Sequence, residues 1–134
     1  MKYFLDTNIC IYALKNKFPR IKEMLQTLSP SDIAIPAMVK AELYYGALKS
    51  EKKSKVISAL EKFLSPFEII PFGDKEIMTY ARIRANLEKN GNIIGPNDLI
   101  IAATTLSYAA TLVTHNKNEF QRVEDLVVED WAEE

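Results

Sequence analysis

Apolar residues run along this chain in short blocks separated by polar turns. The block Lys2-Tyr3-Phe4-Leu5 stops abruptly at Asp6-Thr7-Asn8 and predicts a buried strand with a carboxylate at its carboxyl end. Ile9 to Leu14 reads as a short apolar helix that ends in the turn Lys15-Asn16-Lys17. Pro19 opens a second helix, in which Ile21, Met24, Leu25 and Leu28 fall on one face. Ser29-Pro30-Ser31 stops it. Asp32 to Ile35 is a short strand, and Pro36 suits the first turn of a helix reaching about Ser50. A further helix carries Val56, Leu60, Phe63 and Leu64 on one side and leads to the strand Phe67 to Ile70. Gly73-Asp74 then caps a long helix from Lys75 to Lys89.

The loop from Asn90 to Asn97 delivers Asp98 to the start of the most hydrophobic helix of the chain. The strand Thr111-Leu112-Val113 follows, then Thr114-His115-Asn116, and a last strand lies near Leu126-Val127-Val128. Strands alternating with helices, with continuous apolar runs rather than period-two alternation, indicate a parallel α/β sheet covered on both faces. A length of 134 residues fits one domain over 1–134, large enough to build its own core.

Composition narrows the setting. The one cysteine, Cys10, sits on an apolar helix and reads as a packed thiol, consistent with a reducing cytoplasm. Lys2 leads directly into the first strand, which leaves no room for a secretory leader, and the apolar stretch Leu99 to Val113 is too short to span a bilayer. The expected location is cytoplasmic, with no membrane partner. Net charge is −1, yet six of the 18 acids follow Arg122 and no base does, which leaves 17 basic against 12 acidic side chains before that point. A mildly basic body therefore carries an acidic tail. Lys15, Lys17, Lys49 and Lys52 belong to two basic clusters, and Arg84 lies on the helix before the glycine loop; all five are candidates for contact with a polyanionic partner or for solvated helix faces.

Four acids recur at positions where chemistry is usually done. Asp6 stands at the carboxyl end of a strand, where open α/β sheets bind ligands, although an Asp there also caps a helix well. Glu42 has Met38, Val39, Tyr45 and Gly46 as its helix neighbours, so its charge leaves a largely apolar face and calls for a partner or a metal; pairing with Lys49 is the alternative. Asp98 lies in a helical first turn, where the helix dipole alone would favour it. Glu119 is the acid of the turn after the fourth strand. Gathered at one sheet edge, such carboxylates repel by roughly 4 kcal/mol per pair at 4 Å and an effective dielectric near 20, which calls for a cation. Oxygen ligands select Mg²⁺ or Mn²⁺, and the natural chemistry is phosphodiester hydrolysis.

At this point the chain resembles the PIN-domain ribonucleases, in particular the VapC-type toxins of toxin–antitoxin systems. The resemblance rests on Leu5-Asp6-Thr7-Asn8, on Glu42 within Val39 to Gly46, on Gly95-Pro96-Asn97-Asp98, and on Thr114-His115-Asn116 with Glu119-Phe120. It implies that Asp6, Glu42, Asp98 and Glu119 are catalytic and hold Mg²⁺, with Mn²⁺ as a substitute, and that Thr7, Asn8, Thr114 and Asn116 support them. Family members often carry an Asp at the position of Asn116; the amide here offers a carbonyl but no charge to a second ion. The resemblance further implies a five-stranded sheet of order 3-2-1-4-5, a homodimer, a VapB-type antitoxin that inserts an Arg into the acidic pocket, and cleavage of structured RNA, with tRNA the expected class.

Two rival readings stay open. Asp6 could be the nucleophile of a phosphotransfer enzyme, although such enzymes look for a second Asp where Asn8 stands. A non-catalytic interaction module of the same fold is the other. His115 is the only histidine, so an acid–base mechanism that uses two histidines is excluded, and its default reading is a polar residue at a strand end. Trp131 is expected to pack the C-terminal segment onto the body.

Overall fold

The computed structural model describes residues 2–133. Met1 and Glu134, the two ends of the expected domain, lie outside the described residues. Five parallel strands form one sheet: β1 (Tyr3–Leu5), β2 (Ile33–Pro36), β3 (Glu68–Ile70), β4 (Thr111–Val113) and β5 (Val127–Glu129), in the order β3-β2-β1-β4-β5. That is the order the family resemblance implies. Tyr3 pairs with both Ile33 and Thr111, so β1 is the central strand. Successive side chains of a strand point to opposite faces. Ile33, Ala34, Ile35 and Pro36 are all buried, and both faces of β2 are therefore covered.

The connecting helices are α1 (Thr7–Leu14), α2 (Pro19–Thr27), α3 (Ala37–Lys49), α4 (Lys53–Leu64), α5 (Asp74–Lys89), α6 (Pro96–Ser107) and α7 (Lys117–Phe120). Local chemistry sets their ends. Asp6 accepts the Ile9 amide at 3.0 Å, and this cap starts α1 at Thr7, two residues earlier than the apolar pattern implied. Ser29 and Pro30 wind a 3₁₀ turn over Pro30–Asp32, so extended backbone begins at Ile33 and not at Asp32. Pro36 ends β2, opposite Ile70, and stands one residue before the helix whose first turn it was expected to occupy. Glu76 reaches back to the Gly73 amide at 3.3 Å and closes the start of α5. The short α7 was not anticipated, because four residues carry no periodic signal.

α5 and α6 lie along each other, with the Ser107 hydroxyl donating to Thr79 at 2.9 Å. Cys10 is fully buried, as a packed thiol should be. Trp131 is also fully buried; its ring meets Tyr3 at 5.4 Å and its indole N–H donates to Glu129. The tail thus joins the core instead of trailing as an acidic appendage, and Asp130 is 7% exposed. Among the described residues no helix is long and apolar enough to cross a membrane.

Candidate metal and catalytic site

Parallel pairing of β1 with β4 brings Asp6 beside the segment that follows Val113, and the Asp6 amide donates to the Val113 carbonyl at 3.0 Å. Asp6 is 5% exposed. Burial pushes its carboxyl up to about 6, against hydrogen bonds from the Thr114 hydroxyl and the Ile9 amide that favour the ion; the charges of Glu42 and Asp130 push it further up. Capping and chemistry are therefore not alternatives here. Asp6 caps α1 and still carries a costly charge.

Glu42 reaches the same edge from α3. The Thr7 hydroxyl donates to its Oε1, and the Asn97 amide donates to its Oε2 at 3.2 Å. One carboxylate so ties α3 to the starts of α1 and α6. The face around it is less enclosed than the sequence pattern suggested, because Tyr45 and Gly46 are exposed. Lys49 does not pair with Glu42; its ammonium lies 5.0 Å from the Tyr45 ring centre.

Asp98, in the first turn of α6, faces Glu119 of α7. Burial raises the Asp98 carboxyl to about 7, helped by its hydrogen bond with Glu119 and by the charges of Glu119, Glu42 and Asp6. Burial also works against Glu119. There the Gly95 amide at 3.0 Å, the hydrogen bond from Asp98, the Asn116 amide at 2.7 Å and the charge of Arg122 outweigh it and hold the carboxyl below its usual range. The shared proton thus belongs to Asp98. Gly95 lies directly beneath the pair, and a methyl group there would sit 3.6 Å from Asp98 Oδ2 and 3.7 Å from Glu119 Oε1.

The fold brings Asp6, Glu42, Asp98 and Glu119 within one another's electrostatic field, with Thr7, Thr114 and Asn116 bonded to them. Among the described residues no three acids, histidines or cysteines converge into a ready-made metal cage, and the four carboxylates form an open arrangement. An open set suits Mg²⁺, which keeps several waters and takes only one or two carboxylates directly. The donors are all oxygen, and the raised Asp98 carboxyl holds a proton that a cation would displace. The residues fit such an ion.

Asn8 is exposed on the first turn of α1 and makes no hydrogen bond to the acids. Lys15 and Lys17 are exposed in the turn after α1, and Lys52 lies in the turn between α3 and α4. Arg84 is committed to Glu88 at 3.1 Å and to the Tyr80 hydroxyl at 3.0 Å. Three further residues shape the site without having been singled out. Asn97 anchors Glu42, and its place in the loop motif was the available signal. Arg122 donates to the Ile93 carbonyl at 2.9 Å and supports Glu119. Asp130 lies close enough to burden Asp6, and nothing local separates it from the other tail acids.

A family model described as PIN domain matches residues 3–126. Ribonuclease VapC2 of Rickettsia felis is 46% identical over 132 residues, covering 98% of each chain. The tRNA(fMet)-specific endonuclease VapC of Salmonella typhimurium is 35% identical, covering 98% of this chain and 99% of its own. Among solved structures, VapBC2 from Rickettsia felis bound to a promoter DNA fragment superposes with a TM-score of 0.91 at 44% identity, over 98% of this chain and 99% of that one. DNA-bound VapBC from Salmonella typhimurium gives 0.93 at 34% identity, over 98% of both. Family model, full-length identity and fold agree, and the chain belongs to the PIN-domain family as a VapC-type ribonuclease toxin.

Proposed function

We propose that this protein is a Mg²⁺-dependent endoribonuclease, with Mn²⁺ as a substitute, that cuts structured RNA and is restrained by a VapB-type antitoxin. The observation that carries the reading is the pair of raised carboxyls, Asp6 and Asp98, held at the carboxyl end of the central strands beside Glu42 and Glu119. A divalent cation bound there supplies charge neutralisation for the phosphate and a water acidified into a nucleophile. The protein's own part is to hold the acids. Asp6 is fixed by Ile9 and Thr114, Glu42 by Thr7 and Asn97, and Glu119 by Gly95 and Asn116. Asp6, Glu42, Asp98 and Glu119 would hold the ion, one or two of them directly and the others through its waters, and Asn116, neutral and already donating to Glu119, favours one fully charged ion site over two.

The specificity printed for the Salmonella relative makes tRNA the first substrate to try. Lys15, Lys17, Lys49 and Lys52 offer exposed charge to an RNA backbone. For the antitoxin, a groove of about 560 Å³ is lined by apolar residues such as Ile11, Leu43 and Leu60 together with Lys15, Lys55 and Glu42. An extended segment with apolar and acidic residues would lie there and place an Arg among the carboxylates, satisfying them as a cation does. The relatives solved as VapBC assemblies support that partner. A homodimer would cover the exposed apolar residues Tyr45 and Leu48 of α3 or Ile77 and Met78 of α5. The test is incubation of purified protein with bulk tRNA in Mg²⁺ or Mn²⁺. Discrete fragments that vanish with EDTA support the reading; uncut tRNA in both metals counts against it.

A further inference from the structure

The turn between α1 and α2 holds two of the four non-glycine residues with left-handed φ among those described, Asn16 and Phe18, both at 56°. Asparagine adopts that region readily; a bulky aromatic rarely does. The following Pro19 bars Phe18 from the helical region but leaves extended backbone open, so Pro19 does not account for the positive φ. Its result is a placement. The Phe18 ring lies 4.9 Å from Tyr12, edge to face, and 5.7 Å from His115, while Tyr12 meets His115 edge-on at 6.1 Å.

His115 is the outermost of the three, with a side chain 46% exposed, and it is held. Its Nδ1 donates to Asp130 Oδ2 at 2.9 Å, and the other Asp130 oxygen accepts the Ala132 amide at 2.7 Å, so a buried and fully engaged carboxylate fixes the ring. The residues on either side of His115 belong to the acid site: Thr114 bonds Asp6, and Asn116 bonds Glu119. Lys15 and Lys17 stand exposed in the same turn as Phe18. A histidine kept only for packing would be covered. This one is open to solvent, immobilised from behind and backed by two rings.

We infer that His115, backed by Phe18 and Tyr12, is a stacking platform for one unpaired nucleobase of the RNA held at the acid site. A fixed planar ring beside exposed ammonium groups matches how single-stranded nucleic acid is bound, bases on aromatic faces and phosphates on cations. The inference rests on the nuclease reading for the identity of the ligand, and its test is separable from it. Anisotropy would follow two fluorescein-labelled single-stranded RNA octamers of equal length, one of mixed sequence and one abasic throughout, binding in Mg²⁺ to the full chain made cleavage-silent by Asp6→Asn.

The intact octamer should bind about tenfold more tightly than the abasic one. His115→Gln, which keeps a hydrogen-bond donor for Asp130 and loses the ring, should erase that difference. His115→Phe, which keeps a ring and loses the donor, should preserve it. Equal binding of the two octamers, or base dependence retained in His115→Gln, would overturn the platform. Cleavage of bulk tRNA by the chain with Asp6 intact scores the nuclease reading on its own; base-dependent binding without such cleavage would count against the nuclease and leave the platform standing.

Discussion

Asp98 and Glu119 share one proton: their carboxyl groups are hydrogen-bonded, with Asp98 raised to about 7 and Glu119 lowered. A cation that binds here must displace that proton. Titration with Mg²⁺ or Mn²⁺ at pH 7, by calorimetry in two buffers of different ionisation enthalpy, should therefore release about half a proton per ion, falling toward none at pH 9. Release that does not vary between the two pH values would mean that the ion binds elsewhere.

Stability without metal should fall as the solution becomes less acidic. The Asp6 carboxyl is raised in the folded state, so the stabilisation from its protonated form is complete below about pH 4 and is lost as pH rises through about 6. Two pH units correspond to about 3 kcal/mol for a group this well buried. Asp98 adds loss in the same direction toward pH 7. Urea unfolding in EDTA should show a less stable protein at pH 8 than at pH 5, and saturating Mg²⁺ should narrow the gap by linkage.

Asp6→Asn separates fold from chemistry. The amide oxygen can still accept from Ile9 and Thr114, and the buried charge is gone. Metal-free stability at pH 8 should rise by about 1–3 kcal/mol while RNA cleavage falls at least about 100-fold. A variant that is less stable and still active would contradict both expectations.

Thr7→Val tests whether the anchoring of Glu42 matters. The valine keeps the shape of Thr7 and removes its hydrogen bond to Glu42. Cleavage should drop about 10-fold or more, with a melting temperature close to that of the parent chain. Unchanged activity would show that Glu42 needs no orientation from α1.

Much of this was legible in the residues themselves. The run ending at Leu5 and the stretch Leu99 to Ala103 after Asp98 announce their elements because each is an unbroken apolar run that the fold mostly buries. Asp6 and Asp98 could be picked out because one follows a buried strand and the other opens a buried helix, Glu119 because it is the acid of the turn after the fourth strand, and Glu42 because its helix neighbours are largely apolar. What stayed hidden depends on contacts between distant parts of the chain. Asp130 reads as one tail acid among six until Trp131 packs on Tyr3 and draws it under His115. Asn97 gains its role only when α6 lies beside α3. Phe18 looks like an ordinary turn residue, because nothing in the sequence marks a left-handed φ on an aromatic.

The most direct test of the central claim is the chemistry of the cut ends. Hydrolysis by a metal-activated water leaves 5′-phosphate and 3′-hydroxyl termini, whereas attack by the RNA's own 2′-hydroxyl leaves a cyclic phosphate and a 5′-hydroxyl. Fragments of bulk tRNA made in Mg²⁺ should carry 5′-phosphate and 3′-hydroxyl ends and should disappear with EDTA and in Asp6→Asn. Cyclic phosphate ends, or cleavage that survives both controls, would contradict a metal-dependent nuclease built on Asp6.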